Sequence, residues 1–214
     1  DLSAIHPNAT FVVDVKSTGL YKTDEVLKAN GATTVYWKTG HSYIKRKTAE
    51  LGALAGFEKS GHFFLSGDLG HGYDDGLVAA GAVLAMLDRN PDKSLSELKS
   101  ALPDAWTSLT MSPHCDDELK YDVLARIVKE YEDLAASGGS ILGRKIVEAI
   151  TVNGVRVHLE DGSWVLVRAS SNKPELVVVV ESMRSEDDMR DLFRKEIKPR
   201  LAAYPEIGAF NQEI

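Results

Sequence analysis

The stretch that most restricts the fold is Trp164-Val-Leu-Val-Arg168-Ala-Ser-Ser-Asn-Lys-Pro174-Glu-Leu-Val-Val-Val-Val-Glu-Ser182, two β-branched apolar runs on either side of a polar seven-residue loop. β-Branched side chains are stiff at χ1 and pack well on a pleated surface, so both runs read as strands. A loop this short leaves only antiparallel pairing, because a parallel return needs a crossover of a dozen residues or more. Within the loop, Arg168 offers a planar fork of donors, and Ser170, Ser171 and Asn172 add short polar side chains. Lys173 adds a point charge and Pro174 stiffens the exit. That set suits a phosphate ester. The same composition also serves a plain turn between paired strands.

Around this hairpin the second half of the chain reads as an antiparallel meander. Ile146 to Val152, Val155 to Leu159 and Ser163 to Arg168 are strands joined by Asn153-Gly154 and Glu160-Asp-Gly162, and Glu175 to Ser182 is the fourth. Val123, Leu124, Ile127, Val128, Tyr131 and Leu134 recur at helical spacing before it, ending at Ser137-Gly-Gly139. After it, Ser185 with Asp188 resembles a capping box, and Pro199 breaks or kinks the final helix. The first half has a different rhythm. Strands at Thr10 to Lys16, Ala32 to Trp37, Ala53 to Phe57 and His62 to Leu65 alternate with helical segments, closing at Asn30-Gly31 and Leu51-Gly52. The helix from Asp75 to Leu87 is apolar on nearly every face and is predicted to lie in the core. Ser94-Leu-Ser-Glu97 is a second capping-box pattern. The expected architecture is an α/β domain over residues 1–106, a mixed sheet flanked by helices. An α+β domain follows over 107–214, a four-stranded antiparallel sheet with helices on one face.

Composition narrows the function classes. A length of 214 residues accommodates two ordinary domains, and a net charge of −7 argues against an extended nucleic-acid surface, which needs clustered Lys and Arg. No apolar run approaches the roughly 20 residues of a membrane helix, and the first ten residues lack the basic start and apolar core of a signal peptide. Cys115 is the single cysteine, so neither an intrachain disulfide nor a cysteine-based zinc site can form, and a reducing cytoplasmic home is expected. A start at Asp1 rather than Met fits a piece of a longer protein, although an engineered or trimmed start would look the same.

The polar residues of the first half that sit where strands end are Lys16, Lys38, His41, Glu58, Ser60 and His62. Strand exits are the usual seat of functional loops on a rigid scaffold. Each taken alone also fits a solvated loop residue, a surface ion pair or a satisfied histidine. As a set they differ, since Glu58 and Ser60 bracket a turn with Gly61. An acceptor and a donor can then face a polyol while the backbone approaches closely.

Four segments in order, Lys38-Thr-Gly-His-Ser-Tyr-Ile-Lys45, Phe57-Glu-Lys-Ser-Gly-His62, Gly72-Tyr-Asp-Asp-Gly76 and Arg168-Ala-Ser-Ser-Asn-Lys-Pro174, carry a resemblance to the last two domains of bacterial phosphomannomutase/phosphoglucomutase, of the α-D-phosphohexomutase superfamily. The resemblance spans nearly the whole chain. It implies a four-domain enzyme, an isomerase that moves a phosphoryl group between the 1 and 6 positions of a hexose through a hexose 1,6-bisphosphate. Glu58, Ser60, Gly61 and Lys38 would then contact the sugar. Lys16, His41 and His62 would line the catalytic site, with His62 a candidate for proton transfer. Arg168, Ser170, Ser171 and Asn172 would form the phosphate loop. That loop departs from the family's usual Arg-x-Ser-Asn-Thr-x-Pro, with Ser171 and Asn172 at the Asn and Thr positions.

The family's phosphoserine loop and its Asp-Gly metal loop have no counterpart in the sequence. Asp74-Asp75 and Asp116-Asp117 are adjacent pairs whose side chains tend to diverge, and they read as solvated or capping residues. Mg²⁺ is accordingly expected on a domain of the parent enzyme outside this chain, with no metal site and no cofactor here. The expected partners are hexose phosphates and the N-terminal domains of the same protein. A cleft is expected between the two halves, with residues 58–62 on one wall and 168–174 on the other. Two functions remain open at this level: the substrate-recognition half of a phosphohexomutase, inactive alone, or a free-standing, non-catalytic phosphosugar-binding protein.

Overall fold

Strand Thr10–Asp14 (β1) shows no polar alternation because both of its faces are covered: all but Thr10 are buried. It forms the middle of the first sheet in a computed structural model that describes residues 1–214 as two units, Asp1–Pro103 and Asp104–Ile214. In the first unit α1 (Leu2–Ile5) precedes β1. Then come α2 (Leu20–Thr23), α3 (Glu25–Ala29), β2 (Thr33–Trp37), α4 (His41–Glu50), β3 (Ala55–Phe57), β4 (Phe63–Leu65), α5 (Gly76–Asp88) and α6 (Leu95–Ser100). The sheet order is β2-β1-β3-β4, with β2, β1 and β3 parallel and β4 antiparallel to β3. It is the expected mixed sheet. One core packs Phe11, Ala55 and Leu65 with Leu2, Leu27, Val78 and Ala82, and another packs Val12 and Phe64 with Ile44 of α4.

Local chemistry explains the helix boundaries. The helical segment after β1 divides in two because Asp24 accepts a 2.9 Å bond from the Leu27 amide and so starts α3 afresh. Gly31 ends it at φ +67°. The capping box of α6 is complete, Ser94 and Glu97 each satisfying the other's backbone donor.

Helix α5 overturns the expectation from its composition. None of its residues is buried. Leu77 is 86% and Leu84 66% exposed, and only Val78 and Ala82 pack on the first core. All-round apolarity points to burial, but the sheet beneath has only the short β4 to offer at that edge, so one narrow stripe finds partners.

The second unit contains β5 (Trp106–Thr107), α7 (Lys120–Ala136), β6 (Ser140–Ile141), β7 (Arg144–Ile150), β8 (Val155–Leu159), β9 (Trp164–Ala169), β10 (Leu176–Ser182), α8 (Glu186–Asp191) and α9 (Lys198–Ala202). The order β5-β10-β9-β8-β7-β6 is antiparallel throughout. The four expected strands form its body, and two-residue strands extend both edges. Val123, Ile127 and Tyr131 of α7 pack with Val157, Val165, Val167, Val178 and Val180 and with Leu192, Phe193 and Ile197, forming one core. Residues Leu192–Ile197 make a π-helical turn that leads into α9, whose first turn holds Pro199.

Ser185 caps α8 by accepting from the Asp188 amide at 3.0 Å, but the reciprocal bond of a capping box is not made. Asp188 instead accepts from Arg144 and from the Ser182 hydroxyl, both at 2.7 Å. A buried guanidinium outcompetes a backbone amide for that carboxylate.

Candidate functional site

The C-terminal ends of β1, β2 and β3 are fastened together by one carboxylate. Asp14, the last residue of β1, is fully buried; it accepts from the Ser17 hydroxyl at 2.7 Å, the Thr39 hydroxyl at 3.0 Å and the Lys59 amide at 3.2 Å. Lys16 lies 3.7 Å from it with its side chain 16% exposed. Three strand exits are thus tied to one point, and the loops they carry are preorganised. The sequence offered a local trace of Asp14, an acid directly after the apolar run Phe11-Val-Val13, since buried carboxylates are rare unless paired.

Glu58 opens the turn after β3. Its amide donates to the His62 carbonyl at 3.0 Å and its carbonyl accepts from the Gly61 amide at 2.9 Å, so residues 58–62 close on themselves. Gly61 sits at φ +90°, a conformation that side chains disfavour, which accounts for glycine there. The Glu58 side chain is buried. Oε2 accepts from the Gly40 amide at 3.2 Å, in the exit loop of β2, while Oε1 is buried with no hydrogen-bond partner. Burial pushes the Glu58 carboxyl above its ordinary value, and the negative charge of Asp14 adds to this. The charges of His62 and Lys16 and the Gly40 amide only partly offset both. A surface ion pair with Lys59 is therefore not its role. Ser60 and Lys38 are exposed, and the Lys38 ammonium lies 5.8 Å from the Tyr43 ring centroid.

His41 begins α4, with its ring 4.9 Å from that of Phe64 and 6.1 Å from that of His62. Asp74 joins the two histidines. Its Oδ2 lies 2.6 Å from His62 Nδ1 and 3.8 Å from His41 Nε2, and its Oδ1 accepts from the Phe63 amide at 3.2 Å. Asp74, read from the sequence as a solvated or capping residue, is exposed but is also bonded to His62, because the chain after β4 folds back to bridge Asp74 with Phe64 and brings the carboxylate to the imidazoles. Asp75 does cap, accepting from the Leu77 and Val78 amides. Desolvation acts to raise the Asp74 carboxyl. It is outweighed by the bonds from His62 and Phe63 and by the charges of both histidines, so the acid lies below its ordinary value. Sequence spacing held no signal for Asp74.

In the second unit Arg168 and Ala169 pair with Val177 and Leu176, so the polar loop closes the β9–β10 hairpin. The Ser170 amide donates to the Glu175 carbonyl at 3.0 Å. Lys120, itself buried, donates to the Lys173 carbonyl at 3.0 Å. The Cys115 amide donates to the Pro174 carbonyl at 3.0 Å. With its main chain held from behind, the loop presents Ser171, Asn172 and Lys173 as exposed side chains. Ser170 is buried and its Oγ accepts from the Asn172 amide at 3.4 Å, while Arg168 Nη1 donates to the Ala169 carbonyl at 2.9 Å. Gly154 lies against this strand, where a Cβ would sit 2.2 Å from the Val167 carbonyl oxygen and 2.6 Å from Arg168 Cα.

Ten of the eleven residues singled out from the sequence thus fall in two groups. Lys16, His41, Glu58, Ser60, Gly61 and His62 gather at the first sheet's carboxyl ends, and Arg168, Ser170 and Asn172 share one loop with Ser171 beside them, whereas Lys38 turns to Tyr43. The first group combines a buried acceptor, two imidazoles and a cation, which can read hydroxyls and move protons. The second can hold an anion. No group of three or more His, Cys, Asp or Glu side chains converges to hold a metal ion. No helix is long and apolar enough to cross a membrane.

Comparison with known proteins finds relatives for both parts of the chain. Residues 2–106 match phosphoglucomutase/phosphomannomutase, alpha/beta/alpha domain III, and residues 116–198 match the phosphoglucomutase/phosphomannomutase C-terminal domain. The chain is 30% identical over 199 residues to phosphomannomutase/phosphoglucomutase of Pseudomonas putida, covering 92% of this chain and 40% of that protein. It is 32% identical over 179 residues to phosphoglucomutase of Neisseria meningitidis, covering 83% of this chain and 35% of that one. Among solved structures, a phosphoglucomutase/phosphomannomutase family protein from Burkholderia thailandensis superposes with a TM-score of 0.72 at 26% identity, over 97% of this chain and 40% of that one. The chain therefore spans about two fifths of the length of the relatives it matches.

Proposed function

The chain belongs to the phosphoglucomutase/phosphomannomutase family, and from that membership we propose that it is the substrate-recognition half of a phosphohexomutase. The parent enzyme, on this reading, interconverts hexose 1-phosphate and hexose 6-phosphate of mannose, glucose or both through a bisphosphorylated sugar. The observation that carries it is the Glu58 carboxylate, buried, with Oε1 lacking a partner at a turn that Gly61 keeps open. A buried acceptor left unsatisfied is costly, and a sugar hydroxyl is the donor that suits it. Glu58 and Ser60 would read hydroxyls, Lys16 and His41 would orient the substrate, and His62 would exchange a proton with it. Arg168, Ser170 and Ser171 or Asn172 would hold the phosphate that is not reacting. Mg²⁺ and the phosphoryl donor belong, in this reading, to preceding domains of the longer protein, and the site would be cytoplasmic.

Calorimetric titration of the chain with hexose phosphate and with inorganic phosphate tests this division of labour. Arg168→Ala is expected to weaken both ligands roughly ten- to hundredfold, as a charge-assisted bond to phosphate is worth about 1.5–3 kcal/mol. Glu58→Ala is expected to weaken hexose phosphate and leave inorganic phosphate nearly unaffected. Equal losses for both ligands in Glu58→Ala would overturn the assignment. The chain alone, which lacks the phosphoserine and metal loops of the family, is expected to bind without turnover.

A further inference from the structure

We propose that Asp74 is a positioning residue for His62, holding it in the tautomer that carries its proton on Nδ1 and presents an unprotonated Nε2 to the bound sugar phosphate. The inference rests on the reading of His62 as the proton-transfer group.

Three observations carry it. A carboxylate only accepts hydrogen bonds, so the 2.6 Å contact between Asp74 Oδ2 and His62 Nδ1 puts the imidazole proton on Nδ1. The second oxygen is also committed, since Oδ1 takes the Phe63 amide, and the Asp74 backbone is bridged to Phe64. The carboxylate is therefore held at both ends and cannot rotate away from the ring. The charged groups facing His62 are Asp74 from the segment after β4, Glu58 from its own turn and His41 from α4. Two of the three are carboxyls, and Asp74 is the one bonded to the ring. When Nε2 takes a proton from a substrate hydroxyl, the imidazolium formed faces a fixed negative charge on its far side. When it returns that proton, the same contact restores the starting tautomer. His41, whose Nε2 is 3.8 Å from the same Oδ2, places a second imidazole beside the carboxylate.

The Phe63 amide makes the test discriminating. In Asp74→Asn that amide, a donor, selects the carboxamide oxygen for its own side and leaves the NH₂ facing His62 Nδ1. Nδ1 must then accept, so the proton moves to Nε2. The experiment is long-range ¹H–¹⁵N correlation spectroscopy on the histidine-labelled chain above the titration range of imidazole, with His62→Gln identifying its signals. The expected result is an Nδ1–H tautomer in the native chain and an Nε2–H tautomer in Asp74→Asn, with an unchanged amide spectrum elsewhere. The same tautomer in both, or Nε2–H in the native chain, overturns the proposal.

Kinetics on the full-length enzyme separates this from the reading beneath it. Asp74→Asn is expected to lower kcat by about 10²- to 10⁴-fold with KM little changed, and Asp74→Glu to recover part of it. A loss confined to KM overturns the positioning role. An undiminished kcat in His62→Ala overturns the proton-transfer reading instead, whatever tautomer the spectra report.

Discussion

At the scale of single residues the site depends on carboxylates doing different work in one neighbourhood. Asp14 is saturated with donors and is a fastener; Asp74 is bonded on both oxygens and faces two imidazoles; Glu58 is buried with one oxygen unmatched. Glu58 lies above its ordinary pKa, and burial is the leading cause. That has a consequence for stability. A raised pKa means the folded chain holds the Glu58 proton more tightly than the unfolded chain, so the associated stabilisation is complete below the unfolded value, about 4.3. It is lost as pH rises through the folded value. Glu58→Gln cannot ionise and keeps an acceptor for the Gly40 amide. In urea denaturation it is expected to be more stable than the native chain at pH 7 and equal to it at pH 4. A variant less stable than the native chain at pH 7 would contradict the desolvation account.

At the scale of elements, α5 separates composition from packing. Its sequence, Gly-Leu-Val-Ala-Ala-Gly-Ala-Val-Leu-Ala-Met-Leu-Asp, carries no polar face before Asp88, yet one narrow stripe meets the core. Leu84 is 66% exposed, so little apolar area is returned to water when it is replaced. Leu84→Asp is expected to change the unfolding free energy of the chain by less than about 0.5 kcal/mol, as for surface substitutions generally. Val12→Ala, in the fully buried β1, is expected to cost about 2 kcal/mol or more by the cavity it leaves. Parallel denaturation curves decide. A large loss in Leu84→Asp would mean that α5 is held by more than its Val78 and Ala82 contacts.

At the scale of the whole molecule each unit has its own core. The second has a helix α7 whose buried residues Val123, Leu124, Ile127 and Tyr131 pack on the sheet, and its strands are consecutive in the chain from β6 to β10. Hairpin-connected strands need no pairing partner from the first unit, and about 110 residues is an ordinary domain size. Residues 104–214 expressed alone are therefore expected to unfold in a single cooperative thermal transition. A molten far-UV signal without near-UV ellipticity would show instead that this core is insufficient by itself.

Local chemistry, period and turn chemistry were readable from the residues because they act between neighbours. The β-branched runs flanking Arg168 to Pro174 could only be a hairpin, and Ser94 with Glu97 could only help a helix begin. The parallel alternation of the first half implied an α/β sheet. Even Glu58, Gly61 and Arg168 stood out, since a turn glycine beside an acid and a serine, or an arginine ending an apolar strand, is a local conflict that calls for a partner. What the sequence could not hold was anything that depends on distance through space. Two-residue edge strands such as Ser140–Ile141 exist only because a longer strand lies alongside. The exposure of α5 depends on how far the sheet reaches, and the Asp188 carboxylate leaves its cap because Arg144, far away in sequence, arrives buried beside it. Asp14 and Asp74 acquire their roles in the same way. The residues that meet them, Thr39, Lys59, His41 and His62, are brought there by tertiary packing, and a carboxylate's chemistry is decided by whichever donors packing delivers to it.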